Sequence, residues 1–179
     1  NPAQRDGNAL FSTAHRNILS GAESALSLES LQKAIQLFMD QVDADGQPIS
    51  VEPTVLLVPT ALKHLAVQLT KGTTLVVTGG SNKSVQPSIN VIADENLQVI
   101  SSPYLGNGSY AGSSVTGWYL FGSPSQVDTF EIGYLRGKRT PTVERGETDF
   151  NTLGQWFRVY FDIGVREQDH RGMVYSSGK

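Results

Sequence analysis

Phe157-Arg158-Val159-Tyr160-Phe161-Asp162-Ile163-Gly164-Val165 is the most strongly patterned run in the chain. Apolar Phe157, Val159, Phe161, Ile163 and Val165 alternate with Arg158, Tyr160, Asp162 and Gly164. A period of two puts one set on each face of a β-strand. The alternation predicts a strand with one dry face, against which the rest of the chain packs. On the second face, Arg158 and Asp162 flank Tyr160, a pattern suited to a half-solvated sheet surface or to a wet contact with another subunit. Past Gly164 the chain turns polar through Arg166, Glu167, Gln168 and Asp169. His170-Arg171-Gly172-Met173-Val174-Tyr175 then reads as a turn and a short closing strand.

Upstream of this run, residues 129 to 135 alternate Phe130, Ile132 and Tyr134 with Thr129, Glu131 and Gly133, a second half-buried strand. The twenty residues between them, 136 to 155, set Arg136, Lys138, Arg139 and Arg145 against Glu144, Glu147 and Asp149. So long a polar connection inside a compact domain points to a functional segment, to one shaped by something outside the chain, or to both. Further back, Trp118-Tyr119-Leu120-Phe121 reads as sheet. Residues 103 to 114, rich in glycine and serine around Tyr104, Leu105 and Tyr110, read as an exposed, mobile loop.

In the first half, Leu28, Leu31, Ile35, Phe38 and Val42 recur at helical spacing behind Ser27, a favourable N-cap, which predicts a helix from about 28 to 42. Thr54-Val55-Leu56-Leu57-Val58 reads as a strand covered on both faces. Pro59 then opens a second helix with Leu62, Leu65, Ala66 and Leu69 on its inner side and Lys71-Gly72 at its end. Short strands are expected at 74–78, 89–93 and 97–101, the last two joined as a hairpin through Asp94-Glu95-Asn96. Residues 1 to 25 read as an irregular lead-in touching the core at Leu10, Phe11, Ile18 and Leu19.

The chain has 179 residues, the size of one domain, and a net charge of -3 with no basic cluster, which argues against nucleic acid as a partner. It has no cysteine, which excludes disulfides, thiol nucleophiles and cysteine metal sites. The longest apolar run, residues 55 to 69, is broken by Pro59, Lys63 and His64 and cannot span a bilayer. The first residues, Asn1-Pro2-Ala3-Gln4, carry neither an initiating methionine nor signal-peptide features, so a processed or truncated chain is expected.

Catalytic and metal-binding patterns are weak. His15, His64 and His170 sit on separate segments without metal-ligand spacing. Asp43-Ala44-Asp45-Gly46 begins like a calcium loop but lacks the remaining ligands, and a turn accounts for it. Gly79-Gly80-Ser81-Asn82-Lys83-Ser84 lacks the Gly-Lys-Ser/Thr ending and the following helix of a phosphate loop. No catalytic residue, metal or cofactor is expected.

Taken in order, Leu10-Phe11 with His15 and Asn17, the amphipathic helix, Val55-Leu56-Leu57-Val58-Pro59, Asp128-Thr129-Phe130-Glu131-Ile132-Gly133-Tyr134-Leu135 with Gly137 and Pro141, Trp156 to Val165, and Asp169-His170-Arg171-Gly172 resemble tailed-phage major capsid proteins. The closest subgroup is the Mu-like head subunits and the capsid proteins fused to a prohead protease. The resemblance implies an α+β chain with the Hong Kong 97 type capsid fold, here its carboxy-terminal portion, without the arm, the extended loop or most of the spine helix. It implies one globular unit over 1–179, with about 26–118 and the last residues forming an axial part and about 1–25 with 119–165 a peripheral part. Further implications are hexamers and pentamers of identical subunits in a head shell, and a virion assembled in the bacterial host cytoplasm. Sequence-specific nucleic acid and membrane are not expected as partners, and the isolated chain should be monomeric or weakly associated. Candidate subunit contacts are Tyr104, Tyr110, Arg136, Lys138, Arg139, Arg145, Arg158 and Asp162. Two other classes compete: a prohead peptidase fusion whose protease part lies upstream, which would need a catalytic dyad, and an unrelated host α+β binding domain, which gene neighbourhood would distinguish.

Overall fold

The computed structural model describes residues 1–78, 85–147, 151 and 154–179. The phosphate-loop-like run 79–84 and Asp149 lie outside them. In chain order the elements are β1 (Ile18–Leu19), α1 (Leu28–Met39), β2 (Pro53–Pro59), a 3-10 turn (Thr60–Leu62), α2 (Lys63–Lys71), β3 (Thr74–Thr78) and β4 (Val85–Ile89). A 3-10 turn (Val91–Glu95), β5 (Gln98–Ser102), β6 (Trp118–Gly122), β7 (Phe130–Tyr134), a 3-10 turn (Leu135–Gly137) and β8 (Thr142–Arg145) follow. The chain ends with β9 (Phe157–Tyr160), β10 (Ile163–Glu167), a 3-10 turn (His170–Gly172) and β11 (Met173–Ser176). The fold is mixed α+β. Two compact units share it, Asn1–Thr129 with Asp169–Lys179, and Phe130–Gln168.

The first unit is built on a five-stranded sheet in the order β1-β11-β6-β2-β5. β6 runs antiparallel to both β2 and β11, while β2 pairs β5, and β1 pairs β11, in parallel. The same unit takes in residues 1–25 and 119–129. On one sheet face Leu56, Val58, Trp118, Leu120 and Val174 pack with Leu31, Ala34, Ile35 and Phe38 of α1 and with Ala66 and Leu69 of α2. Trp118 also keeps its polar edge satisfied: its Nε1 donates to Ser24 O at 3.1 Å, and Ser176 Oγ donates to the same carbonyl at 2.7 Å.

α1 starts where its sequence directs. Ser27 Oγ accepts from Ser30 N at 3.2 Å and Ser30 Oγ accepts from Ser27 N at 2.9 Å, a reciprocal capping box. It ends at Met39, short of the expected 42. Val42 instead bridges to Pro48, and Asp43 Oδ1 accepts from Asp45 N and Gln47 N in the intervening turn. α2 buries Ala66 and Leu69 as expected, but His64 and Leu65 face solvent.

Three strand expectations are corrected. β2 is not covered on both faces along its length, since Leu56 and Val58 are buried while Val55 and Leu57 on the other face are half-buried. The residues expected to begin a 94–96 hairpin form a 3-10 turn instead, because Asn90 Oδ1 accepts from Ile92 N and Asn90 Nδ2 donates to Leu69 O and Gly72 O. β5 is thereby freed to run parallel to β2, and the hairpin partner of β3 is β4.

The largest correction concerns residues 157–165. They form two strands rather than one, because β9 pairs β8 and β10 pairs β7, with the break at Phe161-Asp162 and Leu135 N donating to Asp162 O at 3.4 Å. Nor is their apolar face dry: Phe157, Val159, Phe161, Ile163 and Val165 are all exposed. The polar connection 136–155 is not structureless either, since it contains β8.

Candidate functional site

The second unit consists of two antiparallel two-stranded ribbons, β7/β10 and β8/β9. Residues opposite one another in an antiparallel pair share a face. In β8/β9, Val143 opposes Val159 and Arg145 opposes Phe157 on one face, while Glu144 opposes Arg158 and Thr142 opposes Tyr160 on the other. In β7/β10, Ile132 opposes Val165 and Tyr134 opposes Ile163 on one face, while Glu131 opposes Arg166 and Gly133 opposes Gly164 on the other. Each ribbon therefore gathers its apolar side chains on one face, with a charged residue at its end, Arg145 on β8/β9 and Glu167, opposite Phe130, on β7/β10. The apolar faces are open: Val143 is 63%, Val159 64%, Ile132 52% and Val165 65% exposed.

The polar faces are paired within themselves. Arg158 Nε donates to Glu144 Oε2 at 2.9 Å, its Nη2 forms an ion pair with the same oxygen, and Tyr160 Oη donates to Glu144 Oε1 at 3.1 Å. These bonds, Arg158 first and Tyr160 second, hold the Glu144 carboxyl below its ordinary pKa, and Glu144 in turn raises that of Arg158. On the other ribbon Gln168 Nε2 donates to Glu131.

The expected contact residues separate into two groups. Arg136, Lys138, Arg139, Arg145, Arg158 and Asp162 all belong to the second unit. Arg136 adopts a left-handed conformation with φ 55°, Lys138 Nζ donates to Thr142 Oγ1 at 3.5 Å, and the Arg139 guanidinium lies over the Tyr134 ring at 5.8 Å. Arg136, Lys138 and Asp162 line a cavity of about 70 Å³ with Tyr160 and Phe161. Its volume suits a few waters rather than an organic ligand. Tyr104 and Tyr110 belong to the first unit, both exposed, with their rings edge to face at 5.6 Å. Their loop is a succession of turns closed by Ser114 N donating to Leu105 O at 2.7 Å, more tightly knit than an open mobile loop.

One cluster escaped the sequence reading. His15 and His170, on segments far apart in the chain, stack ring on ring at 3.8 Å with an interplanar angle of 14°. His15 is buried; its Nε2 lies 2.7 Å from Asp6 Oδ2 and its Nδ1 3.2 Å from Leu10 O. Asp6 also accepts from Asn8 N at 3.0 Å and from Asn8 Nδ2 at 2.9 Å; its carboxyl is held well below the usual range, by Asn8 first and His15 next. Burial pushes His170 down, and His15 pushes it further. The only sequence signal was the oddity of a polar His15 and Asn17 following apolar Leu10-Phe11. Among the described residues no group of three His, Cys, Asp or Glu side chains is placed to hold a metal ion, and no helix is long and apolar enough to cross a membrane.

Neither a curated protein nor a solved structure matches the chain. A family model described as phage capsid protein matches residues 1–176, almost the whole sequence. The protein thus belongs to the phage capsid protein family and is a structural, non-enzymatic component of the virion that assembles with copies of itself.

Proposed function

We propose that this chain is a shell subunit of a phage or prophage head with the Hong Kong 97 type fold, of the subgroup containing the Mu-like head subunits and protease–capsid fusions. It joins copies of itself into the hexamers and pentamers of an icosahedral head, assembled in the host cytoplasm. The five-stranded unit takes the axial role and the ribbons of 130–168 the peripheral one. The observation that supports this reading is the open apolar face on each ribbon. A two-stranded ribbon is marginal in water unless a face is covered, and contiguous exposed apolar surface marks an interaction site. In a shell subunit the cover is another copy. Arg145, on that face, then stands in the rim of the contact, with Arg136, Lys138, Arg139 and Asp162 as further polar contacts of the same unit and Arg158 on the opposite, polar face.

The test is mass spectrometry of phage particles purified after prophage induction or infection. This chain is expected among the most abundant virion proteins, at a copy number fitting a multiple of sixty. Its absence from purified particles, or presence at only a few copies each, would overturn the reading.

A further inference from the structure

We propose that His15, His170 and Asp6 form an acid-released clasp that holds residues 1–17 against the turn at 169–172. The proposal stands apart from shell assembly, since it rests on a cluster inside the first unit. Both ring nitrogens of His15 face acceptors, Leu10 O and Asp6 Oδ2. His170 stacks on that ring at 3.8 Å in a partly buried site, where a charge on His170 is disfavoured by burial first and by His15 next.

Other charged groups around His170 come from its own turn. Asp169 Oδ1 lies 3.9 Å from His170 Nδ1 and favours the charged ring, while Arg171 opposes it. Arg171 Nη1 also engages Asp169 Oδ2 at 3.2 Å, and its Nε donates to Val42 O at 2.9 Å. Asp6, from the clasped segment, also favours the charged ring, but burial, His15 and Arg171 outweigh the two carboxylates and the net shift of His170 is downward. A histidine whose folded-state pKa is depressed contributes its full stability above the unfolded value of about 6.5 and loses it as pH falls below that. Asp6, also depressed, contributes above about 4 and loses its share only below that. Both shifts have the same sign: acid opens the clasp, His170 first.

Release has a structural consequence. Phe11 lies in the clasped segment, and its ring packs 5.7 Å from that of Tyr119 and 5.4 Å from that of Tyr175. As His170 gains its proton the segment therefore comes away from the second face of the five-stranded sheet and uncovers its aromatic side chains.

Amide hydrogen exchange tests this, with protection factors in β2 and β6 as the internal reference. Between pH 7.5 and 5.5 the protection of residues 9–17 in the wild-type chain is expected to fall several-fold relative to that reference. In His170→Gln the fall should disappear. An unchanged ratio in the wild type, or a fall that persists in His170→Gln, would overturn the clasp. Should the variant not fold, the wild-type imidazole C–H resonances decide the matter: His170 is expected to titrate below a free histidine, and titration at or above the free value would overturn it equally.

Discussion

At the residue scale, capping and packing give sharp expectations. Replacing Ser27 with Ala removes the acceptor for Ser30 N and breaks the capping box of α1. The cost is expected at about 1 kcal/mol, seen as a drop of roughly 2–4 °C in melting temperature by circular dichroism; no change would mean that the helix start is held by tertiary packing alone. Tyr110→Ala should behave differently. Its ring is exposed and meets chiefly Tyr104, so the melting temperature should stay within about 1 °C, while incorporation into phage particles should fall if the tyrosine pair lies at a contact between copies near a capsomer axis. Normal incorporation would remove this loop from the assembly surface. The Ser27 cap was legible in the sequence because a cap acts over three residues. The stacking of His15 on His170 was not, because only the pairing of β1 on β11 brings those segments together, and no local pattern encodes that pairing.

At the element scale, the run from Phe157 to Val165 shows what alternation can and cannot say. The period of two correctly marked strands and sorted the side chains into an apolar and a polar set. It carried no information about whether the cover over the apolar set comes from the same chain, and here the described chain leaves that set exposed. It was also blind to the break at Phe161-Asp162, because a chain can change partner strand without changing phase. β2 erred in the same sense, with an unbroken apolar run taken for two buried faces where one is half-buried. These two cases make a common prediction. Val143→Lys and Val159→Lys replace side chains that solvent already reaches, so the isolated chain should keep its melting temperature within about 2 °C. In cells producing phage, the same variants should be depleted from particles, because a lysine in a buried contact leaves an unpaired charge. Particles that incorporate both variants at wild-type levels would show that this face stays wet in the shell.

At the scale of the whole molecule, residues 130–168 are an insertion between two neighbouring points of the first unit. Asp169 N donates to Asp128 O at 3.1 Å, so the chain leaves and re-enters within hydrogen-bonding distance. The stem is tightly packed as well, for a Cβ on Gly172 would come within 2.6 Å of Thr129 Cγ2 and 3.1 Å of Val127 Cγ1. The buried core runs through α1, α2 and the five-stranded sheet, and its residues all lie in the first unit. Such an insertion can be removed at little cost, since closing a short loop in its place is entropically cheaper than closing a long one. Joining Thr129 to Asp169 through a Gly-Ser-Gly linker should therefore give a chain that melts cooperatively within about 5 °C of the parent. Gly172→Ala, by contrast, should lower the melting temperature in both parent and excised chain, because the added methyl collides with the stem in each. If the ribbons carry the contacts between copies, the excised chain should fold and yet be missing from phage particles. A chain that folds and still enters particles would move the assembly surface to the first unit. One that fails to melt cooperatively would show instead that the ribbons support the core they are inserted into.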